Sequence, residues 1–282
     1  MARDVTEREF EFTSAHFHTI KGYIAEHAGI ALADSKQQMV YSRLVRRLRA
    51  KKIPDFDTYL KYLDQDDGSE LINFINALTT NLTSFFRENH HFEYLTESIF
   101  PLLEQENASS RKIRIWSAGC STGEEPYSIA ITAREYFQSK PDWDVQIFAS
   151  DLDSNVVQTA QDGIYAMDRV KGIASQRLKK WFLKGKGAQE GLVRVKPELQ
   201  SILNFRQLNL LHTWPWKETF DIIFCRNVVI YFNKDTQRVL FGRFFENMVS
   251  EGHLLIGHSE SLNNVSDRFK LIGKTIYRKS EA

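Results

Sequence analysis

Trp116-Ser117-Ala118-Gly119-Cys120-Ser121-Thr122-Gly123-Glu124-Glu125-Pro126-Tyr127 decides the fold. Before it, Lys112-Ile113-Arg114-Ile115-Trp116 alternates and reads as a strand. After it, Ile129, Ala133 and Phe137, with Ile131 and Tyr136, recur at helical spacing between Pro126 and Phe137. Pro126 suits a first helical turn, where its missing N–H costs nothing. A strand, a glycine-containing turn and a helix open a nucleotide-binding βαβ unit. The dinucleotide fingerprint fails, because its second and third glycines, counted from Gly119, fall on Ser121 and Glu124. A pyrophosphate takes the bare positive end of a helix. Glu124 and Glu125 already stand there, where the helix dipole favours carboxylates. A cationic nucleoside without phosphate suits that end, and S-adenosylmethionine is one. The plain alternative is a helix that merely starts with acids.

The 282 residues carry 37 Lys and Arg against 36 Asp and Glu, a net charge of +1, so no overall bias toward nucleic acid or membrane appears. No apolar run approaches the ~20 residues that span a bilayer. Cys120 and Cys225 both end predicted strands in apolar surroundings. Two free thiols and no signal peptide predict a reducing cytoplasm. No Cys, His or acid cluster has metal-ligand spacing, so no metal is expected.

Residues 1–88 read as an all-helical domain, with helices at Ser14 to about Gly29, Ser35–Lys52, Asp55–Leu63 and Ser69–Leu78. In the second, Val40, Leu44 and Leu48 form an apolar stripe. Lys36, Arg43, Arg46, Arg47, Arg49, Lys51 and Lys52 supply positive charge without an acid. That is either a solvated face or a steering patch for an acidic partner. In Thr79-Thr80-Asn81-Leu82-Thr83-Ser84-Phe85-Phe86-Arg87-Glu88, the polar Asn81, Thr83 and Arg87 keep unusual company with two phenylalanines. It reads as a capping linker or as a segment packed on a ligand site, with Arg87 as a carboxylate fork. His90–Leu103 reads as one amphipathic helix.

From 112 the pattern is α/β, with strands at 112–117, 145–150, about 203–208, 220–225 and 252–257 and a closing pair at about 268–278. The alternation predicts a mostly parallel, Rossmann-like sheet over 89–282. Asp151 ends the second strand, where an acid holds ribose hydroxyls; it is also placed to cap the helix at Ser154–Asp162, and the two roles are compatible. The stretch at about 163–203 is too long for a plain connection and predicts an inserted β subdomain, whose exposed edge would accept a peptide strand. Ligands in open α/β sheets sit beyond the carboxyl ends of strands, so Gly119–Glu125, Asp151, Asn209 and Arg226–Tyr231 should converge on one crevice. Arg226-Asn227-Val228-Val229 stands where a nucleobase methyltransferase carries Asn/Asp-Pro-Pro-aromatic, which disfavours base methylation.

Thr79–Arg87 (TTNLTSFFR), Trp116–Ile131 (WSAGCSTGEEPYSIAI), Ala149–Asp153 (ASDLD), Glu190–Val195 (EGLVRV), Phe224–Phe232 (FCRNVVIYF) and Gly257–Glu260 (GHSE) together resemble the chemotaxis receptor methyltransferase family, the CheR type. The resemblance implies a helical N-terminal domain on a class I methyltransferase sheet with a β subdomain inserted. It also implies S-adenosylmethionine as donor, S-adenosylhomocysteine as product, and receptor glutamates as acceptors. By the same resemblance, Asn81, Thr83 and Arg87 line the donor pocket beside Gly119. Glu125 and Asp151 hold the donor, while Asn209, Leu210, Arg226 and Asn227 lie along its adenosine and methionine parts. Arg87 and Tyr231 stand nearest the transferred methyl. The basic helix Lys36–Lys52 meets the chemoreceptor methylation region, and the β insert tethers a receptor C-terminal peptide. A glutamate, with a pKa of about 4.3, needs no general base to attack a sulfonium methyl. The enzyme's work is then positioning and water exclusion, with Phe85, Phe86 and Tyr231 as apolar surface. The alternatives are a methyltransferase for a small carboxylic acid, which needs neither the basic helix nor the insert, and a catalytically silent donor-binding regulator. A nicotinamide oxidoreductase is disfavoured by the missing glycines.

Overall fold

The computed structural model describes residues 8–280. The chain divides into two compact units, one ending at Thr80 and the other beginning at Asn81.

Among the described residues the first unit holds four α-helices, α1 (Ser14–Ala28), α2 (Gln37–Lys51), α3 (Phe56–Asp64) and α4 (Ser69–Leu78). Sequence signals set their ends. Thr13 and His16 form a reciprocal capping box on α1, Gly29 closes it in the left-handed conformation, and Asp55 caps α3 by accepting the Thr58 N–H. Val40, Leu44 and Leu48 are buried as the stripe required. The basic residues of α2 are less free than their run suggests. Arg47 grips the buried Glu70 with two bonds of 2.9 and 2.6 Å, and Tyr59 adds a third at 2.9 Å. Arg43 donates to the last carbonyls of α4, at Leu78 and Thr79. Arg49 pairs with Glu9, and Lys51 reaches Glu70 at 3.4 Å. Lys36, Arg46 and Lys52 are exposed and have no ion pair among the described residues.

The second unit opens with α5 (His90–Tyr94), a π turn (Leu95–Ile99) and α6 (Phe100–Glu106). The expected single helix is interrupted because Pro101 has no N–H for the Glu97 carbonyl, and the backbone widens one turn earlier. There follow β1 (Lys112–Ala118), α7 (Glu124–Tyr136), β2 (Asp144–Asp151), α8 (Ser154–Asp162), β3 (Ile164–Ala166), α9 (Ser175–Trp181), β4 (Phe182–Lys184), β5 (Leu192–Val195), α10 (Pro197–Gln200), β6 (Leu203–Gln207), β7 (Phe220–Cys225), α11 (Lys234–Glu246), β8 (Met248–Ile256), β9 (Phe269–Gly273) and β10 (Ile276–Lys279).

The main sheet runs β6-β2-β1-β7-β8-β10-β9. β6, β2, β1, β7 and β8 are parallel, and β10 is antiparallel to both of its neighbours. Both faces are covered, so β7 is buried at every residue. Ile113 and Ile115 of β1 enter one apolar layer, and Trp116 and Ala118 enter the other with Trp214, Phe220 and Phe244. β3, β5 and β4 make a separate antiparallel sheet with β5 in the middle, so its open edges are β3 and β4.

Glu70 is the one fully buried acid among the described residues of the helical unit, and Arg47, Tyr59 and Lys51 all lean on it. Glu70→Ala should lower stability by about 2–3 kcal/mol, because it strands a partly buried guanidinium and a buried phenol. Arg46→Ala should change it by less than about 0.5 kcal/mol. Urea or thermal unfolding of the two variants checks this.

Candidate functional site

The parallel strands β1, β2, β6 and β7 deliver their carboxyl ends to one edge of the sheet. At β1 the chain turns through Gly119 (φ 100°) and Gly123 (φ 98°). A Cβ on Gly119 would fall 2.3 Å from Val228 Cγ2, and one on Gly123 would fall 2.8 Å from Ala160 Cβ. Only glycine allows the turn to pass that close to the loop after β7 and to α8. Four amides of this turn are already used. Gly119 and Cys120 N–H donate to the Ser150 carbonyl at 2.8 and 2.9 Å, Ser121 N–H to Asp151 Oδ2 at 2.8 Å, and Gly123 N–H to the Cys120 carbonyl at 3.0 Å. A phosphate cradle needs such amides free.

Asp151 ends β2. Its Oδ2 takes the Ser121 N–H and its Oδ1 the Asp153 N–H at 3.1 Å, leaving acceptor capacity on both oxygens. Burial outweighs those N–H bonds and pushes its carboxyl up to about 6. The cap of α8 is Asp153, which accepts the Asn155 N–H at 2.9 Å, so Asp151 is released from that alternative. Asn81 donates to Asp153 Oδ2 at 2.8 Å and receives the Ser121 hydroxyl on its carbonyl at 2.9 Å. Leu208 N–H bonds the Asp151 carbonyl at 2.8 Å and sets Asn209 beside it; Asn209 Oδ1 then takes the Leu211 N–H at 2.9 Å. Leu210 turns into the core around Trp116 and Trp214, so its side chain supports the site from behind.

The two acids at the start of α7 are not a bare acidic rim. Glu124 is fully buried and paired with Arg169, which also donates to the Thr83 carbonyl at 3.3 Å. Glu125 takes the Ser117 hydroxyl at 2.7 Å and Arg226 Nη1 at 3.1 Å. Burial pushes the Glu125 carboxyl up against the pull of Arg226. Arg226 itself is buried. Its Nη2 donates to the Arg87 carbonyl and lies 3.3 Å from Glu88 Oε2. Burial pushes Glu88 up, but His258 at 2.9 Å and Arg226 outweigh it and hold the carboxyl down at about 2. The Arg87 guanidinium donates to the Leu82 carbonyl at 2.9 Å.

Phe85 meets Tyr165 and Phe182 edge-on, and Phe86 meets Phe92 edge-on, with the Arg177 guanidinium 4.7 Å from the Phe86 ring centre. Both phenylalanines thus anchor the strap, residues 81–88, to its neighbours. After β7, Asn227 adopts a left-handed backbone (φ 60°), and Tyr231 ends a 3₁₀ turn, half-buried. No hydrogen bond joins Tyr231 to Arg87 among the described residues.

Glu88, His90 and His91 bring ligand-type atoms within 4.8 Å of one another, a cluster that sequence spacing did not reveal. Burial, then Arg226 and His90, push the His91 imidazole down to about 3, so it is neutral at physiological pH. Arg226 already supplies the positive charge beside Glu88. Sequence reasoning also missed Ser121, Asp153 and Arg169. Asp153 and Glu260 stand in recognisable motifs but carried no assigned role, and Arg169 had no local signal.

A model of the CheR methyltransferase all-alpha domain matches residues 15–79, and one of the CheR methyltransferase SAM-binding domain matches residues 81–278. The chain belongs to the CheR methyltransferase family. It is 45% identical over 282 residues to a chemotaxis protein methyltransferase of Escherichia coli (strain K12), covering 98% of this chain and 94% of that one. It is 46% identical to the chemotaxis protein methyltransferase of Salmonella typhimurium, over 95% of this chain and 91% of that one. With chemotaxis protein methyltransferase 2 of Pseudomonas aeruginosa the identity is 43%, over 96% and 95%. The protein is an S-adenosylmethionine-dependent methyltransferase with the class I sheet, an all-helical N-terminal unit and a small antiparallel sheet. Every expected donor-site residue of this CheR chain falls in the span of the SAM-binding domain. No described helix is long and apolar enough to cross a membrane.

The residues fit an adenosine, because Asp151 at the end of β2 keeps acceptor capacity for its hydroxyls. Gly119→Ala should drive Val228 away from the turn and weaken S-adenosylmethionine binding more than about tenfold, with the fold kept. Titration calorimetry with circular dichroism measures both.

Proposed function

We propose that this chain transfers the methyl group of S-adenosylmethionine to glutamate side chains of chemoreceptors, forming glutamate methyl esters in chemotaxis adaptation. The observation that carries this reading is the full-length likeness to chemotaxis protein methyltransferases. When bound, the donor supplies a methyl group on a positively charged sulfur. The protein's residues hold and orient. Asp151 accepts the ribose hydroxyls, with Asn209 beside it. Asn81 and Thr83 line the same pocket through the strap. The pair Glu125–Arg226 is internal and supports the pocket by fixing the Arg87 backbone.

The acceptor glutamate is ionised at neutral pH, so no side chain has to take its proton. Arg87 orients the acceptor carboxylate, and Tyr231 closes the site beside it. Opposite charges cancel as the methyl moves, so excluding water favours the step. The receptor's methylation region meets the exposed charges of the basic helix, narrowed by the ion pairs of its neighbours to Lys36, Arg46 and Lys52. A receptor C-terminal peptide adds to an open edge of the small sheet, β3 or β4, where Ile164 and Leu183 are exposed.

The titration of Asp151 gives a signed prediction. Its carboxyl titrates at about 6 in the folded protein, above the ordinary 3.8, so the ionised, accepting form is present above about 6 and is lost below it. Donor affinity should fall about tenfold between pH 7 and pH 5. Asp151→Asn should be weak and flat over the same range, as calorimetry at several pH values would reveal.

Radiolabelled donor incubated with chemoreceptor-bearing membranes should leave a base-labile label on the receptor. Label that survives base, or none on membranes while small acids are methylated, overturns the assignment. Arg46→Glu should lower receptor kcat/KM about tenfold at low salt and leave donor affinity unchanged. Arg47 is the wrong residue for that test, because reversing it would strand Glu70.

A further inference from the structure

The Gly257-His258-Ser259-Glu260 segment follows β8 and ends on a carboxylate that is 6% exposed. Among the described residues that carboxylate pairs with no side-chain cation; it collects backbone amides. Oε2 accepts the N–H of Gly257 at 2.6 Å and of Asn227 at 2.9 Å. Oε1 accepts the N–H of Val229 at 2.9 Å and of Ile230 at 3.3 Å. Three of these four donors belong to the loop after β7, between Arg226 and Tyr231. From the other side Gln237 donates to the carbonyls of Val229 and Phe232 at 2.8 and 3.0 Å. The loop is thus held by its N–H groups from one side and by its carbonyls from the other.

The hold has something to resist. Asn227 lies in the left-handed region at φ 60°, which asparagine tolerates better than most side-chain-bearing residues but which is still less favourable than the extended and right-handed regions. Gly257 passes so close that a Cβ there would fall 2.6 Å from Asn227 Nδ2, 2.9 Å from Asn227 N and 2.9 Å from Glu260 Oε2. The loop also carries Val228, whose methyl occupies the space that the missing side chain of Gly119 leaves open. One carboxylate therefore sets the approach of the β7 loop to the β1 turn.

We propose that Glu260 is a positioning residue for the methyl-transfer site. It fixes the Asn227–Ile230 backbone so that the Arg226–Tyr231 wall and the Gly119 turn keep their register, without touching donor or acceptor. This rests on the functional reading above. A glutamine has the same shape but only one carbonyl oxygen, and its amide would point donors at the Gly257 and Asn227 N–H groups or at those of Val229 and Ile230. Gly257→Ala perturbs the same contact from the opposite side and keeps the charge.

The test measures Glu260→Gln, Glu260→Asp and Gly257→Ala in the full chain. The readouts are thermal unfolding, donor Kd by calorimetry, and kcat and KM on receptor-bearing membranes. Expected for Glu260→Gln and Gly257→Ala is a folded protein with donor Kd raised and kcat lowered about tenfold each, and receptor KM within about twofold of wild type. The aspartate, which keeps the charge but reaches only part of the loop, should fall between. Donor Kd and kcat within about twofold of wild type in both variants overturn the proposal, as does a receptor KM that rises in step with them. If Glu260→Gln does not fold, Gly257→Ala decides; if neither folds, Glu260 is a folding residue and the proposal fails. A wild-type protein that binds donor but leaves receptors unlabelled refutes the acceptor assignment instead, and the donor-affinity comparison still judges Glu260.

Discussion

Arg226 is the constraint on which the catalytic unit depends. It leaves the end of β7 buried, and its two terminal nitrogens reach three groups: Glu125 on α7, and Glu88 and the Arg87 carbonyl on the strap. A lone buried guanidinium is unstable; one with two carboxylates and a carbonyl is tolerated, and removing a partner from such an arrangement costs about 3–5 kcal/mol. The two acids respond differently. Glu88, helped by His258, stays firmly ionised, while burial keeps the Glu125 carboxyl above its ordinary range. Glu125 adds a second bond, to the Ser117 hydroxyl on β1. Strand β1, helix α7, strand β7 and the strap are tied at one point, at the carboxyl edge of the sheet.

This changes the reason why the site suits a donor without phosphate. From the sequence, Glu124 and Glu125 look like an acidic rim facing a ligand. In the structure each is matched by an arginine, Arg169 or Arg226, so their negative charge is largely internal. Hydrogen bonds within the protein occupy four of the amides that a phosphate at the turn would use. The amides at Gly119, Cys120, Ser121 and Gly123 all have acceptors within the protein. What the edge does offer is acceptor capacity, at Asp151. The conclusion drawn from the sequence stands on a different physical argument.

What was legible follows from range along the chain. Strand and helix identities are local properties, and the periodicities at Lys112–Trp116, Ile129–Phe137 and Phe220–Cys225 became β1, α7 and β7 within a few residues of their expected bounds. The rule that ligands meet the carboxyl ends of parallel strands is enough, with the strand pattern, to bring Gly119, Asp151, Asn209 and Arg226 to one edge. Partner choice was not legible. Nothing in the run of α2 says that Arg47 belongs to Glu70 and Arg46 to solvent, because that depends on where α4 packs. Arg169 comes from the inserted segment and meets Glu124 across 45 residues. The break in the expected His90–Leu103 helix was marked by Pro101, a signal present in the sequence and outweighed there by amphipathic spacing.

The strap at residues 81–88 shows how such a site is held for a reaction that asks for placement more than for proton transfer. Phe86 and Glu88 both sit at positive φ, 53° and 55°, so the backbone on either side of Arg87 is in a sparsely populated conformation. It is held from outside: Ser128 Oγ takes the Phe86 N–H at 2.9 Å, Arg226 takes the Arg87 carbonyl, Arg169 the Thr83 carbonyl, and Ser121 the Asn81 carbonyl. All four ties are to main-chain atoms. Side chains add to them: Asn81 donates to Asp153, Glu88 pairs with Arg226 and His258, and the Arg87 guanidinium donates to the Leu82 carbonyl. Fixing a reactive position through the backbone of its neighbours is the arrangement expected where the rate depends on in-line approach and a dry surface. The carboxylate of Glu260 applies the same method to the opposite wall, with amides where three of the four strap ties use carbonyls.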